Sequence, residues 1–257
     1  MKLGKKPYRH DPRTLLLEDY VDGSHLPLIP ASYDQGTRIT DWPMLANDRL
    51  GDCTSAGAGH AVQTFVADSR DVILNVTDTN AINFYELFGY NPDDPNTDQG
   101  ANELDVLRVW SKVGYPVTDA AGTVDKHRIA AYTLVNPRNM RLQKAAIYLF
   151  GGLYSGVALP AIAQEMGDHW MLPSDLGDPY AQPGSWGGHC VWTVSYDANG
   201  VKVVSWGQLI TVDWNFIAHY FDEQWAILSS QDWLNGTNSP QGFNWQQLTA
   251  DLAVVRA

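Results

Sequence analysis

Cysteine is scarce. The 257 residues hold 2, Cys53 and Cys190, so a disulfide scaffold is excluded and at most one bridge is open. Positive charge is short as well: 17 Lys plus Arg against 29 Asp plus Glu, a net of −12. A surface that acidic repels phosphate backbones, so nucleic acid is not an expected partner. A long unbroken apolar run is also lacking. Residues 145–163 carry no charge, but Gly151, Gly152, Gly156 and Pro160 divide them. A helix end, a tight turn and a buried strand are expected there, and no membrane partner. No apolar stretch follows the basic start of the chain, so no signal peptide is expected. His10, His127, His169 and His219 show no ligand spacing; neither a metal nor another cofactor is expected.

What is present is a globular composition, 44% hydrophobic and 18% charged. The charge is uneven. Lys2, Lys5, Lys6, Arg9 and Arg13 against Asp11 give residues 1–13 a net of 5 − 1 = +4, which leaves 12 − 28 = −16 elsewhere. A basic arm of this kind can lie on an acidic protein surface. Pro7, Pro12, Pro27 and Pro30 make residues 1–40 an extended arm. Apolar spacing predicts helices at 54–69, 79–88, from Asn102 to Gly114, and at 138–150. Strands are predicted at 153–159, 189–196, 201–206 and 225–229, with a hairpin turn at Asp197–Gly200. The fold class is therefore α+β, a helical lobe at 41–135 and a β-rich lobe at 136–257 with a last helix near Trp245–Ala253.

Cys53 stands at a predicted helix start, where backbone N–H groups and the helix dipole favour a thiolate. His189 opens an apolar strand after Gly187-Gly188, which leaves its approach open. A helix-start Cys facing a strand His forms a nucleophile–base pair. Spacing alone also fits a buried small Cys and a satisfied core His.

The surroundings are more specific. Asn47-Asp-Arg-Leu-Gly-Asp-Cys53, His189-Cys-Val-Trp-Thr-Val-Ser-Tyr196 and Val204-Ser-Trp-Gly207 occur in that order, with Asp41-Trp42 ahead of the Cys. The pattern resembles the papain-like cysteine peptidases, over roughly 41–230. The Cys-to-His separation, 189 − 53 = 136, is close to that of the family. The resemblance implies a helical lobe and a barrel-like lobe with a cleft between them. It makes Cys53 the nucleophile, His189 the base and Asn47 an oxyanion donor. Gly100 would offer backbone to an extended peptide or protein substrate. Gly156 and Val157 would wall the cleft beside Gly188, and Trp206 would cover the His. On this reading Cys53 and His189 titrate together, with the thiolate present well below the ~8.5 of a free thiol. Cys190, next on the strand, would face the opposite side, into the core.

The chain departs from the family pattern in several places. Asn47 replaces a Gln, and Thr54 follows the Cys where Trp is usual. The orienting Asn is absent: its slot is Val204 if aligned from Trp206-Gly207 and Ser205 if counted from His189. The family's disulfide cysteines and long pro-segment are missing too, which fits a short phage or bacterial member in the cytoplasm or on a virion. Two functions follow. One is a peptidase or amide hydrolase working through a Cys53–His189 dyad, with Ser205 as a weak orienter. The other is a catalytically impaired scaffold that binds or assembles.

Overall fold

The computed structural model describes residues 1–21, 28–118, 122–229 and 246. The arm adds a short strand, β1 (Tyr33–Asp34), to the main sheet. Helix α1 (Cys53–Arg70) buries Ala58, Ala61, Val62, Phe65 and Val66, the side its apolar spacing marks, and stops at the left-handed Asp71. A capping box of Thr77 and Asn80 starts α2 (Asp78–Tyr85), and a 3-10 turn carries the chain on to Phe88. The Asn102 side chain accepts from the backbone N–H of Leu104 to cap α3 (Glu103–Lys112).

A hairpin of β2 (Tyr115–Thr118) and β3 (Val124–His127) follows, then β4 (Ile129–Leu134), α4 (Met140–Phe150) and β5 (Leu153–Leu159). The second half continues with β6 (His169–Trp170), β7 (Gly187–Tyr196), β8 (Gly200–Ser205), β9 (Gln208–Asp213), α5 (Trp214–Tyr220) and β10 (Phe221–Ser229). The sheet runs β4-β10-β5-β7-β8-β9-β6, with β1 on β7. The last helix expected near Trp245–Ala253 lies outside the described residues, apart from Gln246.

The two faces of the sheet build two cores. Tyr154, Cys190, Trp192, Val194, Val204 and Trp225 pack with α1 and α3. Val157, Val191, Val203, Tyr196 and Phe221 pack with α4 and α5. This is period-two alternation applied to strands buried on both sides. The division drawn at 135 needs correction. β4 falls inside the expected helical lobe, yet it pairs with β10 in the main sheet. Its Ala130-Ala131 is weak strand sequence, so the pairing with β10 sets the conformation rather than intrinsic preference.

Candidate active site

Cys53 is the first residue of α1 and is fully buried. The backbone of Cys190 and that of Gly4 lie near its sulfur and act to lower its pKa. The first of these places it one residue from His189. The second comes from the N-terminal arm, so the arm lies near the sulfur. Burial is the largest influence on the thiol and pushes its pKa up to about 12. The His189 imidazole, 1% exposed, is pushed down to about 3, again chiefly by burial. Burial thus opposes the low-pKa thiolate expected from the helix start. It drives both groups towards their neutral forms under the arm, and among the described residues His189 Nδ1 has no hydrogen-bond partner. Cys53 and Cys190 are both free thiols.

The other ring nitrogen is held. His189 Nε2 lies 2.7 Å from Ser205 Oγ, at the end of β8. Of the two residues left open for this slot, Ser205 meets the ring, while Val204 points into the core under α1. Trp206 stacks on the imidazole with centroids 4.2 Å apart and planes at 14°. Its position follows from the turn. Ser205 pairs with Gln208, which leaves Trp206 and Gly207 as a two-residue connection with φ of 48° and 72°. Positive φ at both positions is what such hairpins require. A bulky Trp in that region is strained, and the turn aims it over His189.

Asn47 is buried, and its amide donates to Lys2 O at 3.3 Å, Leu50 O at 3.1 Å and Asp52 Oδ1 at 3.2 Å. An arm carbonyl therefore sits on the amide assigned to an oxyanion. Gly100 is left-handed (φ +68), and Tyr85 Oη accepts from its N–H while donating to Asp98. The backbone that pairs with the arm is one residue further on. Ala101 N donates to Gly4 O, and Lys6 N donates to Ala101 O, each at 2.9 Å. Gly188 O accepts from Lys5 N at 3.1 Å. Val157 does not wall the cleft. It is wholly buried in the core with α4 and α5, because β5 turns alternate residues away from the cleft. Gly156 remains as the wall: a Cβ there would lie 2.1 Å from Lys5 Cε.

The arm crosses the cleft through a slot that only glycine fits. A Cβ on Gly4 would lie 1.7 Å from Gly51 O, and one on Gly100 would lie 1.9 Å from Gly4 O. The basic arm makes ion pairs within the chain. Lys2 pairs with Asp98, Arg9 with Asp105, and Lys5 with Asp222 and Glu223. Sequence reasoning missed this last cluster. Its signals were the Lys5-Lys6 pair after the arm's Gly4 and two adjacent acids, Asp222-Glu223, near the start of an apolar strand. Cys190 is buried as expected, but it packs on α1 near Gly57 and neighbours Glu103, which borders the same cluster.

No cluster of three or more metal-ligating side chains occurs among the described residues, and no helix there is long and apolar enough to cross a membrane. No protein-family model matches the chain, and no curated protein matches its sequence. Solved structures do match its fold. Xylellain, a cysteine protease from Xylella fastidiosa, gives a TM-score of 0.66 at 17% identity, over 88% of this chain and 95% of its own. Procathepsin B S9 from Trypanosoma congolense gives 0.60 at 13%, over 89% and 86%. The Carica candamarcensis cysteine protease CMS1MS2, solved with E-64, gives 0.52 at 13%, over 78% and 99%. These likenesses extend over most of both chains in each case, and so the chain has the papain-like fold.

Proposed function

We propose that this protein is a cysteine peptidase or related amide hydrolase, and that the arm-covered form is its resting state. The observation that carries the reading is the second contact of the imidazole. Ser205 Oγ at 2.7 Å engages Nε2, and Trp206 covers the ring, so among the described residues Nδ1 is left without a hydrogen-bond partner. An imidazole oriented through one nitrogen presents the other as a base.

Departure of the arm admits water to the cleft and removes the burial that holds both groups neutral. His189 Nδ1 then takes the Cys53 proton, and the sulfur attacks the substrate carbonyl carbon. The oxyanion so formed is met by the backbone N–H of Cys53 and by the Asn47 amide, freed from Lys2 O. Collapse breaks the C–N bond; the amine leaves with the proton from Nδ1, and a thioester remains on Cys53. Water, deprotonated by His189, hydrolyses the thioester and returns the free thiol. No cofactor takes part in these steps.

A second reading has its own support. A filled cleft and a neutral thiol also suit a scaffold that binds or assembles and no longer turns over. Iodoacetamide labelling near neutral pH separates the two, with Cys53→Ala as control and Gly4→Val to displace the arm. The peptidase reading expects Cys53 in the Gly4→Val protein to react faster than an ordinary thiol, and to slow when His189→Ala is added. Reaction at the rate of an ordinary thiol, unaffected by His189, favours the scaffold.

A further inference from the structure

The Lys5 side chain ends in a chamber that the hydrolytic steps above leave unused. Its Nζ lies 2.8 Å from Asp222 Oδ2 and 3.0 Å from Glu223 Oε1, and it also donates to Lys6 O at 3.3 Å. The Lys5 and Glu223 side chains are fully buried. Glu223 Oε2 is held by Trp225 Nε1 at 2.9 Å, so its other oxygen is left for a cation. A third acid comes from a different element. Glu103, at the start of α3, is wholly buried, and neither carboxyl oxygen has a hydrogen-bonding nitrogen or oxygen partner. It lies near enough to the Lys5 ammonium to support its charge alongside Asp222 and Glu223. The aliphatic stem of Lys5 passes over Gly156, where any side chain would collide with it.

Burial of this many carboxyl groups is unfavourable unless a cation joins them. Burial drives Glu103 and Glu223 towards their neutral forms, and Lys5 opposes that shift in both. The chamber holds one long cationic side chain, with Gly156 against its stem and acids from two elements at its end. It also lies beside the reacting groups. Lys5 N is bonded to Gly188, the neighbour of His189, and the backbone of the preceding Gly4 lies near the Cys53 sulfur.

We propose that this chamber is the substrate side-chain pocket, and that the enzyme selects peptides carrying Lys, or secondarily Arg, next to the residues that meet Cys53. Lys5 occupies it as a stand-in for that side chain. The proposal rests on the peptidase reading for the consequence of binding, but not for the binding itself. A neutral side chain of the same length would leave Glu103 and Glu223 without their cation, which a site built around polar groups rejects strongly.

The test uses the full-length Lys5→Ala protein, in which the chamber is vacated and its acids are retained. Thermal stability is read with n-butylammonium and, separately, with n-butanol. A fluorogenic peptide library then places Lys, Arg, norleucine or Glu at each position flanking the scissile bond. The expected results are stabilisation by butylammonium beyond that of butanol, and a preference for Lys over norleucine of about tenfold or more at one position. Adding Glu223→Gln, or Glu103→Gln should the first not fold, should erase both effects. Cleavage indifferent to Lys, together with equal stabilisation by amine and alcohol, overturns the pocket. Selective stabilisation by butylammonium with no cleavage of any peptide supports the pocket and sinks the peptidase reading instead.

Discussion

Replacing Ser205 by Ala removes the one hydrogen bond to the His189 ring among the described residues and leaves its stacking on Trp206 in place. The bond is short, 2.7 Å, and both partners are buried. A neutral hydrogen bond contributes about 0.5–1.5 kcal/mol, and a buried partner left without one puts the loss at the upper end. As 1.4 kcal/mol is a factor of ten, the Cys53 alkylation rate and the rate of hydrolysis should fall roughly tenfold or less. The mechanism also fixes how the loss appears. Nε2 would no longer be committed to a proton-accepting hydroxyl, so the other tautomer gains population and kcat should fall more than KM rises. Alkylation as a function of pH, in an arm-displaced background, measures this directly. If Ser205→Ala abolished labelling as completely as His189→Ala, the hydroxyl would be more than an orienter. If it changed nothing, Trp206 alone would hold the ring, and the free-nitrogen argument would lose its basis.

Other outcomes follow from the same contacts. Gly4→Val cannot keep the arm in its slot, since even a Cβ would lie 1.7 Å from Gly51 O, so Cys53 labelling should accelerate; an unchanged rate would show that the arm does not limit access. Asn introduced at 205 should be tolerated and keep the ring oriented, whereas Val204→Asn buries an amide in the core under α1 and should cost about 1–3 kcal/mol in denaturant unfolding. His189 is depressed to about 3 against ~6.5 in an unfolded chain, so its contribution to stability is full above about pH 6.5 and is lost as pH falls from there towards about 3. The loss is up to ~1.4 kcal/mol per pH unit, and the difference in unfolding free energy between the wild type and His189→Gln should show it. A difference that stays flat across that range would mean that His189 is not buried neutral.

Periodicity and caps made much of the fold legible. The α1 and α3 boundaries follow from an apolar stripe at helical spacing and from Asn102, and β5 was readable from Leu153 to Leu159 because turn residues bracket it. The pieces missed share a cause. β4 is alanine-rich and β6 only two residues long, and their partners β10 and β9 lie far off in sequence, so nothing local marks them; β9 and the β2–β3 hairpin pair across short turns that carry no Asn-Gly or Asp-Gly signal. The Cys53, His189, Ser205 and Trp206 cluster was legible by order and spacing, although the choice between Val204 and Ser205 needed the register of β8 on β9. Val157 was misjudged because a run of small apolar residues does not say which of its members faces the cleft. The acid chamber was invisible because Lys5, Glu103 and Glu223 are brought together by the arm, α3 and β10, with no spacing rule to connect them.

The arm shields the cleft by covering it. Lys5 lies parallel to Ala101, and the Gly4 carbonyl is held by Ala101 N. Covering Cys53 and His189 excludes water, which raises the thiol and lowers the imidazole, so the covered cleft lacks the charge separation that attack requires. The arm's fastenings differ in kind. Lys2 and Arg9 are half exposed and their pairs are screened by salt, while the pair of Lys5 with Glu223 is closed to solvent and escapes screening. Ionic strength therefore loosens the ends of the arm before its centre. On the peptidase reading, the step that exposes Cys53 is the withdrawal of the Lys5 ammonium from its acids, and a competing cationic side chain that offered them the same charge would ease it.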